Sequence, residues 1–188
     1  VLGGAGNDWL FGGGDSDQVY GGDNNDYVDA GAGNDTAQGD AGNDVIHGGL
    51  NDDLLHGGAG IDQVFGDDGN DSIYGSAGAA DGRQAGQKLF GGAGNDALFA
   101  YAATTTAAEF ALVGDEMHGG ADNDTLNGNI RQDKLFGDEG NDVIVGDALS
   151  GPLYTVNAAP ATFGAADQIF GGAGQDQIFG GGGNDTAF

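Results

Sequence analysis

The chain has 188 residues, the size of one domain, but its 42 glycines and 30 acidic residues set it apart from an ordinary globular protein. Only four Lys and Arg side chains balance the acids, which leaves a formal net charge of −26. This charge excludes nucleic acid and anionic membrane surfaces as expected partners and favours cations. Without cysteine there can be no disulfide or thiolate metal site, and no apolar run approaches the ~20 residues of a membrane span.

A repeat of nine residues runs along almost the whole chain from Gly3. The first eight units, GGAGNDWLF to GDDGNDSIY, follow one another without interruption to Tyr74, and nine more continue in phase to Phe188. We number the 17 units in chain order. Positions one to five are counted from the first residue of a unit and positions six to nine back from its last residue, so that every unit ends at position nine. Since Val1-Leu2 belongs to an incomplete unit, we expect residues 1–188 to be a single-domain fragment of a longer protein.

Two positions of the unit are almost invariant. The eighth is apolar in all 17 units, and the sixth is Asp in all but one, which has Gln87. The sixth-position aspartates are Asp8, Asp17, Asp26, Asp35, Asp44, Asp53, Asp62, Asp71, Asp96, Asp115, Asp124, Asp133, Asp142, Asp167, Asp176 and Asp185.

The residue types within a unit predict a turn followed by a short strand. Gly-Gly-x-Gly-Asn is typical of turns, because Gly and Asn accept left-handed backbone. The three residues after each Asp alternate outward, inward, outward, with one apolar side chain facing in. Two units then form one rung of a flattened all-β coil. Because a rung buries only two apolar side chains beside repelling aspartates, we expect a further ligand to stabilise it.

Calcium is the ligand that this chemistry favours. Ca²⁺ takes six to eight oxygens from carboxylates and carbonyls, and glycine-rich turns leave carbonyls free to converge. With its sixth-position Asp and eighth-position apolar residue, the repeat resembles the RTX (repeats-in-toxin, hemolysin-type) calcium-binding nonapeptide repeats. The resemblance implies a right-handed parallel β-roll with ions between turns of successive rungs, held by the sixth-position aspartates and turn carbonyls. It also implies type I secretion and folding in extracellular calcium.

Counting the turns gives an expected number of ions. Ions between turns two units apart give at most about 15 sites, and about 13 divalent ions would neutralise the charge of −26. We therefore expect about 10–15 ions, with the remaining aspartates solvated. Weak or missing calcium is expected where the neutral Gln87 would pair with Asp62 and Asp115.

Three units are longer than nine residues, and all have odd numbers. They are units 9, 11 and 15, with inserts at about 75–86, 100–114 and 146–166. Odd and even units turn at opposite edges of the coil, so we expect all three inserts at one edge. The other edge would keep an unbroken row of seven ions, while beyond Asp62 the inserts would separate the turns. The inserts are almost uncharged, which leaves open a cover over the roll or a contact surface for a partner.

Phe or Tyr occupies the ninth position of ten units, where alternation points side chains outward. We expect stacks of these rings along the sheets, with a lateral interface as the alternative. His47, His56 and His118 share this position without the spacing of a zinc site, so we expect surface histidines.

No enzyme signature is present, so we expect no catalytic activity and no catalytic residues in this segment. The leading hypothesis is a calcium-dependent spacer module of a large secreted or cell-surface bacterial protein, an adhesin or surface-layer component. One alternative is the C-terminal secretion and folding module of an RTX enzyme or cytolysin. Another is a self-assembling extracellular filament, formed head to tail or laterally through the inserts and outward aromatic rings.

Overall fold

A computed structural model of the chain describes residues 1–76, 86–100, 113–147 and 164–188. Most of each predicted insert therefore lies outside the described residues. The two interpretations of the inserts, a cover over the roll or a contact surface for a partner, concern those residues and stay predictions.

The described residues form short strands separated by turns. The strands are β1 (Leu2–Ala5), β2 (Trp9–Gly14), β3 (Gln18–Asp23), β4 (Tyr27–Ala32), β5 (Thr36–Ala41), β6 (Val45–Leu50), β7 (Leu54–Ala59), β8 (Gln63–Asp68), β9 (Ser72–Tyr74), β10 (Lys88–Ala93), β11 (Ala97–Phe99), β12 (Val113–Ala121), β13 (Thr125–Asn127), β14 (Gln132–Glu139), β15 (Val143–Val145), β16 (Gln168–Phe170), β17 (Gln177–Phe179) and β18 (Thr186–Ala187). In this part of the chain, no helix is long and apolar enough to cross a bilayer.

The strands stack into two parallel sheets. The first sheet contains the nine odd-numbered strands in chain order, and the second contains the nine even-numbered strands. In uninterrupted stretches, partners lie 18 residues apart, so that Val28 pairs with Leu10 and Ile46. The predicted all-β parallel roll with two units per rung is confirmed.

All three long units connect the first sheet to the second. They lead from β9 to β10, from β11 to β12 and from β15 to β16. Because every passage in that direction turns at the same edge, the residues that flank all three inserts lie at one edge, as the unit numbers predict. We call it the odd edge; the even-numbered units turn at the even edge.

The core is a double row of eighth-position side chains between the sheets. Those from Val19 to Ile169 are fully buried, while Leu10 near one end is 8% exposed. Each side chain packs against its counterparts one rung above and below, so the core grows only along the roll axis.

Left-handed backbone occurs at positions two and four of the turns. Gly22 and Gly49 at position two have φ of 113° and 110°, and Asn24 and Asn51 at position four have φ of 79° and 77°. We expected the Asn at position five of Gly-Gly-x-Gly-Asn to adopt this conformation as well. Its side chain has another role, which is described below.

Ninth-position rings form columns on the outside of both sheets. On the second sheet seven rings stack with centroids 4.4–5.3 Å apart: His47, Phe65, Phe90, His118, Phe136, Phe170 and Phe188. On the first sheet His56, Tyr74 and Phe99 do the same. The predicted stacking is confirmed, and the lateral interface stays a prediction.

Candidate metal sites

The sixth-position side chains form one hydrogen-bonded ladder at each edge. On the even edge the backbone N–H of each Asp donates to Oδ1 of the Asp one rung further along the chain, from Asp17 to Asp176, over 2.7–3.2 Å. This ladder has seven links without a gap, although residues outside the described ranges separate some of its turns in sequence.

The odd-edge ladder also continues past the inserts. Asp62 N–H donates to Gln87 Oε1 at 2.7 Å, Gln87 N–H donates to Asp115 Oδ1 at 2.8 Å, and further links reach Asp185. The expectation that inserts separate the turns beyond Asp62 is therefore wrong. The reason is that each insert enters and leaves ahead of the sixth position, so the sixth-position backbone stays in register.

The second carboxylate oxygen of most ladder aspartates is buried without a hydrogen bond. Within the described chain, Oδ2 has no partner at Asp8, Asp17, Asp26, Asp35, Asp44, Asp53, Asp62, Asp71, Asp96, Asp124, Asp142 and Asp167. A buried carboxylate oxygen with no donor is costly unless a cation compensates it.

A carbonyl of the next rung points at the same place as most of these oxygens. A methyl group on Gly21 would lie 2.6 Å from Asp26 Oδ2 and 2.6 Å from the carbonyl oxygen of Gly39. Gly48 stands in the same relation to Asp53 Oδ2, at 2.5 Å, and Gly66 O, at 2.7 Å. The missing Cβ leaves a cradle lined by oxygens, which fits a hard cation such as Ca²⁺.

Burial and mutual repulsion raise the pKa of these carboxyls. Burial, followed by the charges of neighbouring aspartates, raises the pKa of Asp44, Asp71 and Asp124 to about 7, against the hydrogen bond from the preceding rung. A row of carboxyls that resists ionisation is one that a divalent cation can stabilise in the charged form.

Gln87 fills its own place in the odd ladder without a carboxylate. Its Oε1 accepts the ladder hydrogen bond, and its Nε2 donates to the carbonyl oxygen of Gly60 at 2.8 Å. The side chain is 2% exposed. An amide N–H thus engages a turn carbonyl beside Asp62, which supports the expectation of weak or missing calcium there.

Unit 13 brings further protein donors to the odd edge. Asn129 Nδ2 donates to Asp115 Oδ2 at 2.7 Å, and Asn129 N–H donates to Asp133 Oδ2 at 2.6 Å. Burial raises the pKa of Asp115 to about 6, and the guanidinium of Arg131, which is 1% exposed, opposes this rise. Sequence reasoning missed both residues, although GNIRQDKLF departs from the turn pattern at these positions.

Asp147, at position two of unit 15, is buried although we expected aspartates outside position six to be solvated. It is 1% exposed, and its carboxylate forms a cluster with Asp167 and Asp185 in which one oxygen of each lies within 4.8 Å of the others. Sequence reasoning missed it, because 19 residues stand between Asp147 and Asp167 in the chain.

Fifth-position side chains form a second, exposed ladder. Asn43 N–H donates to Asn25 Oδ1 at 2.9 Å, and Asn141 N–H donates to Asn123 Oδ1 at 2.9 Å. Asn recurs at this position because its side-chain oxygen accepts a backbone N–H of the next rung.

The two histidines of the ring column on the second sheet contact carboxylates. Nδ1 of His47 lies 2.9 Å from Asp67 Oδ2, and Nδ1 of His118 lies 3.2 Å from Asp138 Oδ2. These half-buried pairs lie on the outer face of the sheet, away from the ladders, in agreement with surface histidines.

Comparison with models of known protein families gives a match. The model of the RTX calcium-binding nonapeptide repeat (4 copies) matches residues 2–37, 20–55, 29–64, 56–79, 87–103, 115–149 and 164–187, which together span most of the chain. No curated protein matches the sequence.

Proposed function

Because the chain belongs to the family of RTX calcium-binding nonapeptide repeats, which bind Ca²⁺, we propose that it is a calcium-dependent spacer module of a large secreted or cell-surface bacterial protein, of the adhesin or surface-layer type. The observation that carries the proposal is the uninterrupted even-edge ladder, which repeats a buried, unpartnered Oδ2 at seven successive aspartates from Asp17 to Asp142.

The even edge supplies the most regular sites. The residues that would hold calcium there are Asp17, Asp35, Asp53, Asp71, Asp96, Asp124, Asp142 and Asp176, each with turn carbonyls. From Asp35 onward their Oδ1 atoms accept backbone hydrogen bonds, which orients the carboxylates and leaves Oδ2 for the ion. Bound calcium supplies positive charge that offsets the repulsion between stacked carboxylates.

The odd edge would bind calcium in two separate stretches. Asp8, Asp26, Asp44 and Asp62 provide three regular gaps, and Asp167 with Asp185 provides one more. Between these stretches, the side-chain amides of Gln87 and Asn129 and the backbone N–H of Asn129 engage the oxygens that an ion would otherwise take.

The shape of the roll suits a spacer. Nine strands per sheet at a spacing of about 4.8 Å make a rod about 40 Å long, and each further pair of units lengthens it by one rung. A rod whose rungs contact only their neighbours sets a distance in proportion to repeat number. We also propose that the segment is not catalytic, since its carboxylates repeat along two ladders instead of converging on one cleft.

A calcium titration of the isolated chain tests the proposal. We expect little β-structure in excess chelator and cooperative folding at ~10⁻⁴–10⁻³ M Ca²⁺, followed by circular dichroism. Small-angle scattering of the folded chain should give a rod about 40 Å long. A chain equally folded in chelator would contradict calcium dependence, and a compact sphere would contradict the spacer.

A matched pair of variants locates the calcium ligands. Asp71→Asn removes a ladder charge and should raise the calcium concentration at half-folding severalfold. Asp68→Asn removes the same charge from an exposed position of the same turn and should leave the midpoint near that of the parent chain. Equal shifts for the two variants would mean that general charge, and not the ladder, sets the calcium requirement.

A further inference from the structure

Three carboxylates lie close together at the C-terminal end of the odd edge. Asp167 and Asp185 are successive sixth-position residues, whose Asp167 N–H donates to Asp185 Oδ1 at 3.2 Å. Asp147 joins them from position two of unit 15, so that one oxygen of each residue lies within 4.8 Å of the others. The repeat pattern alone places only two carboxylates at such a level.

Asp147 differs from other second-position aspartates. Asp67 and Asp138 hold this position in units 8 and 14, where their side chains are 42% exposed and contact histidines on the outer face. Asp147 instead turns inward and is 1% exposed, and its Oδ2 accepts a hydrogen bond from Gly182 N–H at 2.7 Å.

Two buried oxygens of the cluster have no hydrogen-bond partner in the described chain. They are Oδ1 of Asp147 and Oδ2 of Asp167, both on residues that are 1% exposed. The three side chains together carry up to three negative charges. A cation that joins converging, buried carboxylates with unpartnered oxygens stabilises them in their charged form.

The backbone around Asp147 is shaped to admit it. A Cβ on Gly181 would lie 2.6 Å from the Asp147 Cβ, and a Cβ on Gly164 would overlap the Asp147 carboxylate. Both glycines have positive φ, 98° and 150°. The turns of units 15 and 17 therefore pack closely on the carboxylate and fix its position.

We propose that Asp147, Asp167 and Asp185 hold one Ca²⁺ ion in a three-carboxylate site that binds more tightly than the sites along either ladder. The proposal rests on the calcium-binding function above and adds a ligand that the repeat does not supply. Ligand charge and rigidity tune calcium affinity, and this cluster has one more carboxylate than a ladder gap.

The site would also join the chain on both sides of residues 148–163. Asp147 immediately precedes that segment, and Asp167 follows it by four residues. An ion bound to both residues would link the two ends of the third insert.

Calcium binding to the full chain tests the proposal, with CaCl₂ as the only added metal and competition by a chelator of known affinity. We expect one ion to bind at least about tenfold more tightly than the rest. Asp147→Asn should abolish this tight class while the weaker ions remain. Asp40→Asn, which removes a carboxylate from the same position of another odd-edge unit, should retain it.

A second variant and a fold control keep the outcome clear. Asp147→Ser removes the carboxylate with a smaller side chain, and circular dichroism in saturating calcium reports whether each variant folds. If both Asp147 variants fold and keep the tight class, the proposal is overturned while calcium-dependent folding stands. If the parent chain binds no calcium, the proposed function fails as well.

Discussion

Gln87 offers a direct test of how the ladder selects for calcium, because one substitution restores the repeat at that place. In Gln87→Asp the chain keeps an acceptor for Asp62 N–H but loses the donor that contacts Gly60 O at 2.8 Å. The new side chain would restore the carboxylate that the other sixth positions carry and would place no amide donor at the Gly60 carbonyl. We therefore expect one additional calcium ion, between positions 62 and 87.

The size of the effect follows from two opposing contributions. Loss of the Gln87–Gly60 hydrogen bond costs about 1 kcal/mol of unfolding free energy, and a buried carboxylate without a cation costs about 1–3 kcal/mol more. One ion with a Kd of ~10⁻⁴–10⁻³ M returns about 1.4–2.7 kcal/mol in 10 mM calcium. The variant should thus be less stable than the parent chain in low calcium, and the difference should shrink as calcium rises.

The slope of this dependence is the sharper prediction. Above the Kd, one extra ion adds about 1.4 kcal/mol to the unfolding free energy for each tenfold increase in calcium. Urea unfolding at several calcium concentrations measures it, and calorimetry counts the ions. Gln175→Asp, which introduces the same charge at an exposed position, should follow the parent slope. Identical slopes for Gln87→Asp and the parent would refute the argument that the amide takes the place of an ion.

Three further predictions concern the other contacts. Arg131→Met leaves the buried Asp115 carboxylate without its positive neighbour and should lower the unfolding free energy by about 3 kcal/mol in urea titrations. Lys88→Met at the surface should change it by less than about 0.5 kcal/mol. Because burial raises the pKa of Asp44 and Asp71 to about 7 from the ordinary 3.8, the metal-free roll binds more protons than the unfolded chain between these values. Its stability is then fully present below about pH 3.8 and is lost as the pH rises through about 7, so circular dichroism in chelator should show more β-structure at pH 4.5 than at pH 8, and the opposite order would contradict the assignment. Asn141→Ala removes the acceptor for the amide of the next rung at 3.0 Å and should cost about 0.5–1.5 kcal/mol in the same urea assay, with no change in the number of calcium ions.

The architecture was predictable because the information that specifies it is local and repeated. A nine-residue period with an apolar eighth position defines which side chains face the core. Each rung then places this position on its counterpart in the next rung, as Val28 lies on Ile46. Unit parity located the inserts for the same reason, since every unit adds one passage between the sheets.

The exceptions escaped prediction because each depends on contacts across rungs. Asn129 and Arg131 engage residues of another rung, and nothing within GNIRQDKLF states which carboxylates lie beside them. Asp147 meets Asp185 from 38 residues away, across an insert of irregular sequence. The side-chain ladder of fifth-position Asn could have been inferred, because Gly would serve a turn equally well and Asn recurs instead.

The continuity of the odd ladder past three inserts makes the roll a natural display scaffold. The sixth-position backbone keeps its spacing whether seven or sixteen extra residues precede it. Loop-closure entropy grows only slowly with loop length, so a longer segment adds little cost once its two ends are fixed. A foreign peptide placed ahead of the sixth position of an odd unit would therefore be presented from one side of a rod, at intervals set by the rung spacing, while the even edge carries the fold.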